Sequence, residues 1–128
     1  MSKTVYDTRF FIEHYYSNDE DVLRRTKEEM RKTRERYISA VVIHEVYRLT
    51  LEREGRETAV LRAEMLKKDF KVVDVGPEIA KASAELRHRY NASMADCIIA
   101  ATALSLMATC VSDDPHFKSM SEIKTSWI

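Results

Sequence analysis

Lys3-Thr4-Val5-Tyr6-Asp7-Thr8-Arg9-Phe10-Phe11-Ile12 passes from strand to helix with no linker between them, and that passage decides the fold. The first four residues read as a short buried strand. Thr8 is placed to cap a helix that runs through Phe10, Phe11, Ile12 and Tyr15. The same alternation continues along the chain. A charged helix from about Asp19 to Arg34 has one thin apolar edge (Val22, Leu23, Met30), and Arg36-Tyr37-Ile38 returns as a second strand. Ser39 then caps a strongly apolar helix to about Arg53. After Glu54-Gly55 the next helix carries Ala59, Ala63, Leu66 and Phe70 on one stripe. Phe70-Lys71-Val72-Val73 is a third strand, and Pro77 opens a helix with Ile79, Ala82, Leu86 and Tyr90 turned inward. A helix around Asp96 leads to Thr109-Cys110-Val111 as a fourth strand, and Ile123 to Trp127 supplies a fifth.

Strands that alternate with helices need crossover connections. The sequence therefore predicts an α/β protein of three layers, α/β/α, with a mainly parallel sheet of about five strands covered on both faces. At 128 residues the chain makes one domain, residues 1–128, large enough to bury a core without covalent staples. Positive and negative side chains balance at 21 each, so no global field recruits nucleic acid or a membrane, and any polyanion must be held locally. Cys97 and Cys110 lie in apolar surroundings without ligand-like spacing and read as reduced core thiols. No signal-like or membrane-spanning segment is evident, which leads to the expectation of a soluble cytoplasmic domain.

Candidate chemistry rests on the acids. Asp96 stands in Met94-Ala95-Asp96-Cys97-Ile98-Ile99-Ala100-Ala101-Thr102-Ala103-Leu104, apolar on nearly every helical face, so it is expected to be enclosed by protein. An ionised carboxylate there costs several kcal/mol, or is forced neutral, unless a partner compensates it. Glu45 repeats the oddity inside Ala40-Val41-Val42-Ile43-His44-Glu45-Val46-Tyr47. Asp7 and Asp114 follow the first and fourth strands, at the carboxyl ends where sites in parallel sheets lie. Taken singly, Asp7 is a helix cap, Glu45 a partner for Arg48, and Asp113-Asp114-Pro115 a turn. Taken together, all four acids fall at one end of one sheet.

Such a cluster repels itself unless a cation is present, and oxygen-only ligands select Mg2+ or Mn2+ over zinc. Magnesium completed by substrate phosphate oxygens can activate water and neutralise a phosphodiester, which points to metal-dependent phosphodiester hydrolysis. Other chemistries lack their parts. Gly55 and Gly76 are the only glycines, so no glycine-rich loop cradles a nucleotide, and no Ser or Cys sits in a nucleophile elbow. Arg9 occupies the position where an aspartyl-phosphate hydrolase needs its second acid. His14 and His88 read as surface residues, His44 points about 100° away from Glu45, and His116 has a structural reading beside the acidic turn. The basic run from Arg24 to Arg34 reads as a solvated helix with pairs such as Glu28–Lys32 rather than a phosphate-binding stripe.

The segments Tyr6-Asp7-Thr8-Arg9-Phe10-Phe11-Ile12, Ser39-Ala40-Val41-Val42-Ile43-His44-Glu45-Val46, Ala95-Asp96-Cys97-Ile98-Ile99-Ala100-Ala101 and Val111-Ser112-Asp113-Asp114-Pro115-His116-Phe117 closely resemble, in order, the acidic motifs of PIN-domain ribonucleases. Length and order are similar to the VapC toxins of toxin–antitoxin pairs. The resemblance implies a PIN-like fold and a Mg2+- or Mn2+-dependent endoribonuclease with Asp7, Glu45, Asp96 and Asp114 as catalytic, metal-binding acids. It gives Thr8, Ser112 and Asp113 supporting places, and implies RNA as substrate, an antitoxin protein as partner and a homodimer. Asp114 rather than Asp113 fits the spacing to His116 and Phe117. Arg9, where a small polar residue is common, is placed as a substrate phosphate ligand. The Asp96 helix also lacks the glycine often found before the next strand. Two other readings stand beside the toxin: a housekeeping RNA-processing nuclease, and a catalytically silent scaffold that binds RNA or protein.

Overall fold

Every neighbouring pair of strands runs parallel, as strands joined by helical crossovers must. The computed structural model describes residues 2–128. The strands β1 (Lys3–Tyr6), β2 (Glu35–Ser39), β3 (Lys71–Val73), β4 (Thr109–Val111) and β5 (Lys124–Ser126) form one sheet in the order β3-β2-β1-β4-β5. Between them lie α1 (Thr8–Tyr16), α2 (Glu20–Lys32), α3 (Ala40–Glu54), α4 (Arg56–Asp69), α5 (Pro77–Arg89), α6 (Met94–Leu106) and α7 (Pro115–Ser119). The chain steps one way from β1 to β3 and back the other way from β3 to β5. Right-handed crossovers therefore put α1–α4 on one face and α5–α7 on the other. The packing agrees: α3 lies on α4 and α1 on α2, while α6 lies on both α5 and α7.

On the first face an aromatic cluster forms the core. Tyr6 sits 4.8 Å from Phe10 and 5.4 Å from Phe70, and Phe70 meets Phe11 edge-on at 5.1 Å. On the second face α6 packs against β1, β2 and β4, with Ile99, Ala100, Ala101 and Ala103 fully covered. Its alanines let a helix buried on nearly every side approach both the sheet and α5. Among the described residues, no helix is long and apolar enough to cross a membrane.

The structure refines several expectations from the sequence. Asp7, not Thr8, caps α1, accepting a hydrogen bond from the Thr8 N–H at 2.8 Å, and Thr8 becomes the first helical residue. α2 stops at Lys32 because the next residues serve other partners. Arg36 donates to the carbonyls of Met30 and Thr33, both at 2.7 Å, closing the helix end from β2. Phe70 is the C-cap of α4 rather than a strand residue, since its ring is drawn into the aromatic core. His14 is not a free surface residue: Nδ1 lies 2.8 Å from the Thr26 hydroxyl and the ring stacks on Phe10, tying α1 to α2. The basic face of α2 is laced by ion pairs, but Lys32 pairs with Glu29, while Glu28 pairs with Arg24 and Arg31.

α6 ends in a left-handed residue, Met107, at φ 52° and ψ 43°, whose N–H reaches the Ala103 and Leu104 carbonyls. The Ala108 N–H closes back to Ala103 at 2.9 Å, so the turn is a Schellman-type cap at the position where the resemblance led one to look for glycine. Met107 is 92% exposed and its side chain is free of packing. Met107→Gly is expected to stabilise the protein by about 0.5–1 kcal/mol, because relief of the left-handed strain outweighs the added freedom of the unfolded chain. A higher urea midpoint at unchanged m-value is the measurement; a lower midpoint contradicts the strain.

Candidate functional site

The order of the sheet reverses between β1 and β4, which is where the crevice of a parallel sheet lies, beyond the carboxyl ends of the strands. Asp7 follows β1 directly. Its N–H donates to the Val111 carbonyl at 3.2 Å, continuing the β1–β4 ladder one residue past the strand and fixing the backbone. The side chain is only 3% exposed. One carboxylate oxygen accepts from the Thr8 N–H, and the other accepts from the Ser112 hydroxyl at 2.6 Å. Burial pushes its pKa up to about 6. The charges of Asp96 and Glu45 add to the rise, and the bonds from Ser112 and Thr8 oppose it.

Glu45 projects from the second turn of α3, where the Thr8 hydroxyl donates to Oε1 at 2.5 Å. Its neighbour His44 is exposed. Asp96 lies in the first turn of α6, whose cap Ser93 accepts the Asp96 N–H at 3.1 Å. The apolar helix does not enclose it as the sequence suggested. The first turn emerges at the crevice and leaves the carboxylate 18% exposed. Its pKa still rises, through burial first and then the charge of Asp114.

Asp114 caps α7, a short helix where the Asp-Asp-Pro string predicts only a turn, by accepting the His116 N–H at 2.9 Å. Its own N–H donates to the Ser112 hydroxyl at 3.0 Å. Ser112 therefore touches Asp7 and Asp114 at once and sets one against the other. The His116 ring was not among the expected ligands. Its Nδ1 lies 3.1 Å from Asp114 Oδ1 and 3.6 Å from Asp96 Oδ2. Only the position of His116, two residues past a helix-capping acid, could have signalled this from sequence. Asp113 turns the other way and pairs with the exposed Arg9 at the rim.

The site thus has two halves. Asp7, Thr8, Glu45 and Ser112 are linked by direct hydrogen bonds. Asp96, Asp114 and His116 form the other half. Among the described residues they are the one group of three or more acid, imidazole or thiol donors whose ligand atoms all lie within 4.8 Å of one another. The donors are hard carboxylate oxygens and one imidazole, with no thiolate, and a carboxyl holding its proton to about pH 6 lacks a cationic partner. That set fits a hard divalent cation.

A family model described as PIN domain matches residues 4–123. The chain is also similar to solved structures over nearly its whole length. Against DNA-bound VapBC from Salmonella typhimurium the TM-score is 0.80 at 18% identity, covering 99% of this chain and 98% of that one. Against Mycobacterium tuberculosis VapC20, described as a Sarcin-Ricin loop cleaving toxin, it is 0.78 at 18% identity, covering 93% and 95%. FitAcB from Neisseria gonorrhoeae gives 0.74 at 18% identity, covering 95% of each chain. No curated protein sequence matches.

The metal-free protein carries a strain that pH can read. Folded Asp7 holds its proton to about pH 6, whereas an ordinary aspartate loses it at 3.8. Between those values the native state binds more protons than the unfolded chain, so stability falls as pH rises through the window. Asp7→Asn removes the buried charge. In EDTA it is expected to raise stability at pH 8 by about 1–3 kcal/mol, with the gain shrinking toward pH 4. Urea unfolding of both proteins across that range measures it, and a gain that does not vary with pH counts against a buried charge as its source.

Proposed function

The chain belongs to the PIN-domain family, and from that membership we propose that it is a divalent-metal-dependent endoribonuclease, the toxin of a toxin–antitoxin pair. The observation that carries the proposal is the convergence of Asp7, Glu45, Asp96 and Asp114 where the sheet order reverses, each close enough to raise another's affinity for protons or be raised by it. These four acids would hold Mg2+ or Mn2+. When bound, such an ion neutralises charge developing on a phosphodiester and makes water a stronger acid.

The chain's own residues do the positioning. Ser112 keeps the carboxylate of Asp7 and the backbone of Asp114 at a set spacing, and Thr8 orients Glu45 from the first turn of α1. The low exposure of Asp7 keeps water from solvating its charge, so a cation in the crevice is the favoured counter-charge. Arg9 lies within reach of the charges of Asp113, Asp114 and Asp7 and is half exposed. Its guanidinium is proposed to leave Asp113 for an incoming RNA phosphate, with Asp113 as its resting partner. The toxin role, an antitoxin partner and homodimerisation are proposed on the likeness to VapBC complexes and to VapC20, and a cytoplasmic location goes with them.

Purified protein is expected to cleave single-stranded RNA with Mg2+ or Mn2+ and to stop on addition of EDTA. Asp7→Asn and Asp96→Asn should each lower the rate by at least about 100-fold while far-UV circular dichroism stays unchanged. Undiminished cleavage by Asp96→Asn sinks the site assignment. Arg9→Ala is expected to raise KM about tenfold with a smaller change in kcat, as loss of a charge-assisted phosphate contact would. Growth arrest on expression, relieved by the product of an adjoining short reading frame, checks the toxin role; continued growth with active enzyme points to housekeeping RNA processing.

A further inference from the structure

We propose that His116 is a direct metal ligand, so that the site binds its ion through an imidazole nitrogen as well as carboxylate oxygens and favours Mn2+ over Mg2+. The inference rests on the metal-dependent reading above and adds a residue and a metal preference to it. Two adjacent donors on one octahedral ion, each about 2.1 Å from it, lie about 3.0 Å from each other. His116 Nδ1 stands 3.1 Å from Asp114 Oδ1 and 3.6 Å from Asp96 Oδ2, and all three donor atoms fall within 4.8 Å of one another. Those separations are already close to the edges of a coordination shell, before any side chain moves.

Local structure explains why the ring is there. Asp114 caps α7 and Pro115 starts it, so His116 occupies the first turn with its own N–H donating to Asp114 Oδ1. The backbone thus locks the imidazole and the carboxylate side by side, while Ser112 holds the Asp114 N–H from below. The ring presents Nδ1 to the two acids and is 54% exposed, so a hydrated cation can reach it from solvent. As a ligand it would carry its lone pair on Nδ1 and its proton on Nε2. An imidazole suits transition ions and adds little for Mg2+, which prefers oxygen, and this sets the direction of the metal preference.

Mn2+ titration of the untagged full chain, followed by electron paramagnetic resonance, tests the proposal without relying on catalysis. Bound Mn2+ is expected to show nitrogen-14 coupling from a histidine ring in the electron spin echo. His116→Gln should abolish that coupling and raise the Mn2+ Kd about tenfold, while Mg2+ affinity, measured by competition, changes far less. His116 is exposed, and unchanged circular dichroism of the variant would show that the fold is intact. An imidazole that only orients Asp114 gives Mn2+ bound without nitrogen coupling, and that result overturns the proposal while leaving the acid site standing. Mn2+ that fails to bind, or binding indifferent to Asp96→Asn, overturns the metal site and this inference together.

Discussion

The structure is organised around a carboxylate that it buries without a charge partner. Asp7 is 3% exposed, it follows the central strand, and its backbone extends the β1–β4 ladder. Two hydrogen bonds soften the burial but do not cancel it, and its pKa rises to about 6. Folding must offset that cost elsewhere. The aromatic cluster around Tyr6, Phe10, Phe11 and Phe70, with the fully covered α6, supplies the apolar burial that does so. Without a counter-charge a site of this kind stays strained, and a cation bound there would gain affinity from the strain it released.

Topology explains why the acids meet. β1 and β4 are adjacent in the sheet but separated in sequence by two strands and six helices. Asp7 and Asp114 therefore come to either side of Ser112 only once the chain has stepped out to β3 and returned. Ser112 is the joint, because one hydroxyl donates to Asp7 and accepts from Asp114. Thr8 does the same work for Glu45 from the α1 side. Two small hydroxyl residues thus transmit the register of the sheet to two carboxylates and to the backbone of Asp114, a task that longer side chains with more rotamers would do less well.

Much of this was readable before folding because its signals are local. Alternating strand and helix patterns, the Ser39 cap, the helix start at Pro77, and acids in apolar helices are each read from a few neighbouring residues, and the five parallel strands follow from them. What escaped depended on contacts distant in sequence. The side-chain exposure of Asp96 is set by where α6 emerges at the crevice, not by its apolar neighbours. Phe70 leaves its strand for a ring cluster that includes Tyr6, and His14 finds Thr26 on another helix. His116 is an intermediate case. Its spacing from Asp114 is local, but its approach to Asp96 required the packing of α6 against α7.

Charge placement resolves an apparent conflict between zero net charge and the polyanionic substrate proposed above. The last turns of α2 and α4 lead within three residues into β2 and β3, and carry Arg31, Lys32, Lys67 and Lys68. Those cations sit at the amino ends of the strands, where they complement helix carbonyls. The acids gather at the opposite end, so the balanced chain is polar along its sheet. The crevice end thus repels phosphate while its own charge is uncompensated, and under the proposed function RNA binding there would be coupled to binding of the cation. Arg9 feels the charges of both Asp7 and Asp114. Its pairing with Asp113 keeps that cation at the rim, on the path a phosphate would take, without sealing the acids beneath.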